Sequence, residues 1–188
     1  YQITVTNSGN TPISSIEILD RLPQLGDQTI RNCNPRGSQF SVLPNGIFSP
    51  TSLASSATYS TSAPGINNVP ASWLGGLSGF ACDISGTFTA GPKNTVYVNL
   101  PSPILPFTSY TFEMQVLIPA TAKGGDQICN TVALKTNYQD EDETGTEYPL
   151  EIIESDKVCL TIAPPPCKPC PEMVRSETVT MNPGITST

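Results

Sequence analysis

One short run constrains this chain more than any other. In Tyr110-Thr-Phe-Glu-Met-Gln-Val-Leu-Ile118 the apolar residues Tyr110, Phe112, Met114, Val116 and Ile118 alternate with Thr111, Glu113 and Gln115, until Pro119 stops the pattern. A period of two sends successive side chains to opposite faces, so this is a strand with one face buried and the other wet. The same period recurs along the chain. Tyr1, Ile3 and Val5 alternate with Gln2, Thr4 and Thr6, and Asn7-Ser-Gly-Asn10 then reads as a turn. Ile16 and Ile18 mark a second strand, stopped by Asp20-Arg-Leu-Pro23, and Val96, Val98 and Leu100 mark another. Ile128–Leu134 and Lys157–Ile162 complete the set, and no segment carries a 3.6-residue stripe.

Short strands bounded by Pro and Gly predict an all-β fold: an immunoglobulin-like two-sheet antiparallel sandwich over residues 1–163. Residues 44–79, rich in Ser, Ala, Gly and Pro and weak in period, are expected to form a long irregular insertion with short edge strands. The sharper alternative gives this insertion a ligand, with Trp73 stacking on a sugar. Ala163-Pro-Pro-Pro-Cys-Lys-Pro-Cys-Pro171 follows, and proline favours extended geometry, so residues 164–172 are expected to be a semi-rigid spacer. Residues 173–188 beyond it form a detached terminal strand.

That tail has a specific relation to the other end. Placed head to tail, Val179-Thr-Met-Asn-Pro-Gly-Ile-Thr-Ser-Thr188 runs into Tyr1-Gln-Ile-Thr-Val-Thr6 as one pattern of strand, Pro-Gly turn and strand. The tail is therefore expected to serve as the first strand of a neighbouring unit, with Pro183 and Gly184 in the turn and Tyr1, Ile3 and Val5 as the acceptor end. Its inward residues are either Val174, Thr178 and Thr180 or Val179 and Met181, and sequence leaves that register open. Whether Thr188 continues into a further Tyr1 or the tail belongs to a separate subunit is also open, with the covalent repeat favoured. The chain opens inside a strand pattern, so further sequence is expected upstream.

Composition narrows the chemistry. A net charge of −7 and a pI near 4.4 disfavour nucleic acid as a partner. No apolar run approaches the roughly 20 residues of a membrane-spanning helix. With no histidine, Ser-His and Cys-His pairs and every histidine-containing metal site are excluded, and the chain is expected not to be an enzyme. Asp140-Glu-Asp-Glu143 with Glu147, Glu151 and Glu154 concentrates carboxylates that suit calcium, but the spacing matches no defined calcium loop and a solvated charged face is favoured. No cofactor is otherwise expected. The same acids, on one hairpin instead of across a cleft, are a poor glycosidase pair. Lys135 and Lys157 are the lysines that an internal Lys–Asn isopeptide bond would use.

Six cysteines in a Thr/Ser/Asn/Pro-rich chain point to an oxidising, extracellular setting. Cys129 and Cys159 both sit between inward residues; if their strands form one hairpin they are opposite about residue 144, with Thr144-Gly145 at the tip, and they are expected to pair. Cys33 and Cys82 flank the irregular region and are paired partly by elimination. Cys167-Lys-Pro-Cys170 lacks the helix start of a redox motif and the second cysteine pair of a zinc site, so a local disulfide is favoured and bridges between units are the alternative.

Tyr1-x-Ile-x-Val-x-Asn-x-Gly-Asn-x-Pro-Ile13 and Ile18-x-Asp-x-Leu-Pro23 resemble the bacterial surface repeat family called domain of unknown function eleven. Tyr110-Thr-Phe-x-Met-x-Val116, Gly124-Gly125, Ile128-x-Asn-x-Val132 and the displaced Met181-Asn-Pro-Gly184 also fit, so the likeness covers residues 1–23, 94–134 and 173–188. The resemblance implies a tandem immunoglobulin-like sandwich in secreted, cell-surface or fibre-forming proteins, with no catalytic residues. Together these readings predict a structural unit of an extracellular fibre, pilus-like filament or surface layer, partnered by copies of itself. The alternative is an adhesin module holding a glycan or host protein through residues 44–79.

Overall fold

Where the alternation holds, strands form as expected; where it breaks, the fold has used the break. The structure, a computed structural model, describes residues 1–74, 82–101, 103–139, 147–149, 152–164 and 180–181, for 138–139, 147–149 and 180–181 the backbone alone. In chain order the strands are β1 (Gln2–Thr6), β2 (Ile13–Arg21), β3 (Leu43–Ser49), β4 (Thr58–Ser60), β5 (Asn67–Val69), β6 (Asp83–Ser85) and β7 (Thr95–Asn99). They continue with β8 (Ser109–Leu117), β9 (Gln127–Asn130), β10 (Val132–Gln139), β11 (Glu147–Pro149), β12 (Ile153–Glu154), β13 (Val158–Thr161) and β14 (Thr180–Met181). One sheet has the order β14-β1-β8-β3 and the other β11-β10-β2-β7-β4, with β12 also on β10. Strand pairs β9–β13 and β5–β6 stand apart. The result is an all-β sandwich.

Its core is built from the inward positions of both sheets. Ile3 and Val5 of β1 and Phe112 and Met114 of β8 meet Ile16 and Ile18 of β2, Val96 and Val98 of β7, and Leu134 of β10, all nearly inaccessible. At a few kcal/mol at most for each large apolar side chain removed from water, this cluster is the main stabilising element. In β2, Ile13, Ile16 and Ile18 are all buried although their spacing is three and then two. Ser15 at φ 50°, with a register slip between Lys135 and Asn137 on β10, marks a β-bulge that restores the phase.

Three expectations need correction. Residues 44–79 are not an insertion set apart from the sheets, because β3 pairs with β8 and β4 with β7, giving each main sheet an edge strand. Pro44 and Gly46 (φ 72°) hide β3 from any count of period, and proline is tolerated there because it is an edge. Ile118 is exposed at 54%, since the β8 ladder ends with Leu117 opposite Leu43. Finally, β2 runs on through Asp20 and Arg21, both buried, and does not stop at Asp20.

The second sheet is covered on its far face as well. Leu19 and Ala133, which alternation would expose, pack with Ile30, Val69, Trp73 and Ile152 in a smaller apolar cluster. The loop after β2 and the β5 region supply that cover.

Candidate strand-acceptor edge

The sequence points to β1 as an acceptor, and its two sides differ. On one side β1 pairs with β8 in antiparallel register from Gln2 opposite Glu113 to Thr6 opposite Ser109. The pairing is reinforced by side chains: Thr4 and Thr111 hydroxyls are 2.9 Å apart, and those of Thr6 and Ser109 are 2.8 Å apart. On its other side β1 carries only β14, in parallel, with Gln2 opposite Thr180 and Ile3 opposite Met181. Among the described residues, Thr4, Val5 and Thr6 have no strand beside them on that side. A strand edge of this kind is a template for pairing.

An apolar groove opens beneath that edge. It is lined by Ile3, Thr4 and Val5 of β1, Ile18 of β2, Val132 and Leu134 of β10, and Ile153 and Ser155 at β12. Its cavity volume is about 20 Å³, room for about one water and for no side chain, and no lining residue is charged. Ser155 shapes the groove wall: the Val132 amide donates to its hydroxyl at 3.0 Å, and the Ser155 amide donates to the Val132 carbonyl at 2.9 Å.

Of the predicted acceptor residues, Ile3 and Val5 face the core at 3% and 1% exposure, and Tyr1 packs against the same cluster. Burial, then the Asp20 carboxylate, raises the Tyr1 phenol well above its ordinary pKa. Of the predicted tail residues, Thr180 and Met181 lie on β1 of their own chain. Met181 holds the register position of inward Ile3, the phase of the Val179 and Met181 set. Val174, Thr178, Val179, Pro183 and Gly184 lie outside the described residues, as do Cys167, Cys170 and the Thr144-Gly145 tip.

Near β2, apart from the groove lining, lies a polar network that sequence reasoning missed. Arg36 donates to Asp27 Oδ2 at 2.8 Å and to Asn130 Oδ1 at 2.7 Å, and also reaches the Arg21 carbonyl. Asn130 Nδ2 in turn donates to both oxygens of Asp20, at 3.0 and 3.2 Å. Burial, outweighing Arg36 and the Asn130 hydrogen bond, lifts Asp20 to about 6. Arg21 donates to Asn67 and the Ala63 carbonyl, and Asn67 donates to Asp83 at 2.7 Å. Burial also raises Asp83 to about 6 and, ahead of Arg36, lowers Arg21 to about 10. Each ion has at least one protein partner, although Arg21 Nε, Asp27 Oδ1, Arg36 Nε and Asp83 Oδ2 are buried without a hydrogen bond, and the network ties the 22–42 loop to the sandwich.

Four of the six cysteines lie among the described residues and pair as expected. Cys129 and Cys159 are directly opposed in β9 and β13, with Cα atoms 4.0 Å apart, and form a disulfide. Cys33 and Cys82 form the second, with a Cα separation of 6.0 Å. The β9–β13 hairpin is not uniform: Asn137 faces Pro149 nearer the tip and Ala133 faces Glu154, so the pairing slips before it reaches Cys129.

Other candidate chemistry is reassigned. Trp73 is not a sugar platform: it is fully buried, and its Nε1–H donates to Glu17 Oε2 at 2.7 Å. Glu154 is not part of a free acidic face. It accepts the Ile30 and Arg31 amides at 2.9 and 2.7 Å and the Thr131 hydroxyl at 2.6 Å, so it caps the loop that covers the sheet. Asp140–Glu143 and Glu151 lie outside the described residues, and among the described residues no three metal-ligating side chains converge. Lys135 Nζ donates to the Ser72 carbonyl at 2.8 Å and Lys157 Nζ to the Arg36 carbonyl at 3.4 Å. Those partners are backbone oxygens, with which a lysine cannot form an isopeptide bond. Among the described residues no helix is long and apolar enough to cross a membrane.

No protein-family model, curated protein or solved structure matches this chain.

Proposed function

We propose that this chain is a structural unit of an extracellular fibre or surface layer, in which the C-terminal segment of one unit completes the β1 edge of another. One observation carries the reading: Thr180 and Met181 pair with Gln2 and Ile3 on the side of β1 that no other strand among the described residues covers. Supporting it are the uncharged groove under that edge and the sequence likeness to a tandem surface repeat. The two disulfides suit an oxidising compartment, where a fibre unit without histidine chemistry gains stability from crosslinks. The glycan-binding alternative loses its main support with the burial of Trp73.

Negative-stain imaging of the concentrated full chain and of a chain lacking residues 172–188 tests the reading. Filaments or sheets from the full chain, absent in the deletion, are the expected result. Filaments of equal abundance in both would sink strand completion as the joining mechanism.

A further inference from the structure

We infer that copies of this chain also dock end to end, the Leu105-Pro106-Phe107 tip of one seating on the exposed Leu43, Leu117 and Ile118 patch of the next. This rests on the reading of the chain as a self-assembling unit and names a second contact for it, one that does not use the C-terminal segment.

The tip holds its side chains out to solvent. The Thr108 amide and hydroxyl both donate to the Leu105 carbonyl, at 3.2 and 2.7 Å, closing a tight turn with Pro106 second and Phe107 third. Phe107 takes φ 58° there, at a turn position that ordinarily uses Gly or Asn, and so bulky a residue is strained in it. The surrounding fold fixes the turn: Ile104 exchanges two backbone hydrogen bonds with Ile13, and the Asn7 side-chain amide donates to the Ile104 carbonyl at 3.0 Å. Yet the ring gains no cover from its own chain, since Phe107 is 75% exposed and Leu105 55%. A strained, preorganised and exposed aromatic has the character of an interface anchor.

The other end of the same strand carries an apolar surface to receive it. β8 begins two residues after Phe107 and ends at Leu117, about 27 Å further on at antiparallel rise. There Leu117 lies opposite Leu43 across the ladder and Ile118 follows, all three more than half exposed. Charge points to a second copy as the occupant. The chain carries −7, but no charged residue occurs from Gly37 to Cys82, from Asn94 to Phe112 or from Met114 to Ala122. Tip and patch both fall in these stretches, so like-charged copies meet there without bringing carboxylates together. The two surfaces differ and lie at opposite ends of β8, which makes the contact heterologous. Each docked copy leaves one tip and one patch unused, and contacts of this kind build open chains when the rotation does not close a ring.

Photocrosslinking in the full chain reads the contact out. A chain with Phe107→p-benzoylphenylalanine is mixed with isotope-labelled parent chain, irradiated and mapped by peptide mass. Expected are crosslinks to labelled peptides that hold Leu43 or Leu117. Phe107→Gly suits the turn, so that variant should melt no lower than the parent while its self-association, read by sedimentation velocity, weakens at least about tenfold. Leu117→Asp should weaken association as far. Crosslinks from tip to tip, crosslinks confined to one chain, or undiminished association of Phe107→Gly overturn the contact. So does partition of the chain onto phosphatidylcholine vesicles through Phe107 in place of self-association. Crosslinks to the patch without filaments would keep the contact and remove the fibre, whereas filaments without these crosslinks would overturn the contact and leave the fibre to strand completion.

Discussion

At the residue scale the most informative side chains are the buried ions, and they were the hardest to foresee. Nothing in the sequence separates Arg36 from an exposed arginine, because charged residues are exposed by default and their burial depends on partners distant in the chain. Arg36 is 1% exposed and bonded to Asp27 and Asn130. Arg36→Ala strands Asp27 as a buried charge and is expected to cost about 3–5 kcal/mol in denaturant unfolding, and Arg36→Lys should rescue little because one ammonium cannot reproduce the guanidinium fork. Asp20 gives a pH signature. Its folded pKa, about 6, lies above the ordinary carboxylate value of 3.8, so the folded state holds its proton to higher pH than the unfolded chain. Its contribution to stability is therefore present at low pH and is lost as pH rises through 6. Acidification from pH 7 to 5 should stabilise through Asp20 by about 1 kcal/mol, and Asp20→Asn should remove that dependence; the difference in melting temperature between the two chains across this window is the measurement. Cys129 and Cys159 were legible for the opposite reason: their geometry follows from alternation and the pairing of two strands, whereas Cys33 and Cys82 were paired partly by elimination.

At the element scale, β7 and β8 could be read directly because each keeps a strict period, and β8 also one wet face. β3 could not, since Pro44 and Gly46 break the pattern at an edge that tolerates the break. The bulge at Ser15 likewise hid the inward position of Ile13. Trp73 misled because a lone aromatic in a stretch without period gives no sign of which side covers it. Two predictions belong here. Replacing Cys129 and Cys159 by Ser opens a crosslink of sequence separation 30 between β9 and β13 and should cost about 3–4 kcal/mol, measured by denaturant midpoint under oxidising conditions. Ile153→Asp places a carboxylate in the wall of the groove beside Ile3 and Val5. Because Ile153 is only partly buried, the fold should survive while amide protection along Gln2–Thr6 falls; unchanged protection would show that the groove does not help hold the tail.

At the scale of the whole molecule, the two-sheet sandwich was legible from period alone, whereas the cover on the far face of the second sheet was not. That cover comes from loops and the short β5, whose apolar residues (Ile30, Val69, Ile152) are single and aperiodic. The relation between the two ends was visible as a head-to-tail pattern, but sequence favoured a hairpin and could not foresee a parallel contact within one chain. The account stands on one claim, that the tail belongs on the side of β1 away from β8. The most direct test adds a synthetic peptide of residues 173–188 to a chain ending at residue 172 and follows binding by calorimetry and hydrogen exchange. The account predicts saturable binding of one peptide per chain with new protection at Gln2–Thr6. No binding, or binding that leaves Gln2–Thr6 unprotected, would contradict it.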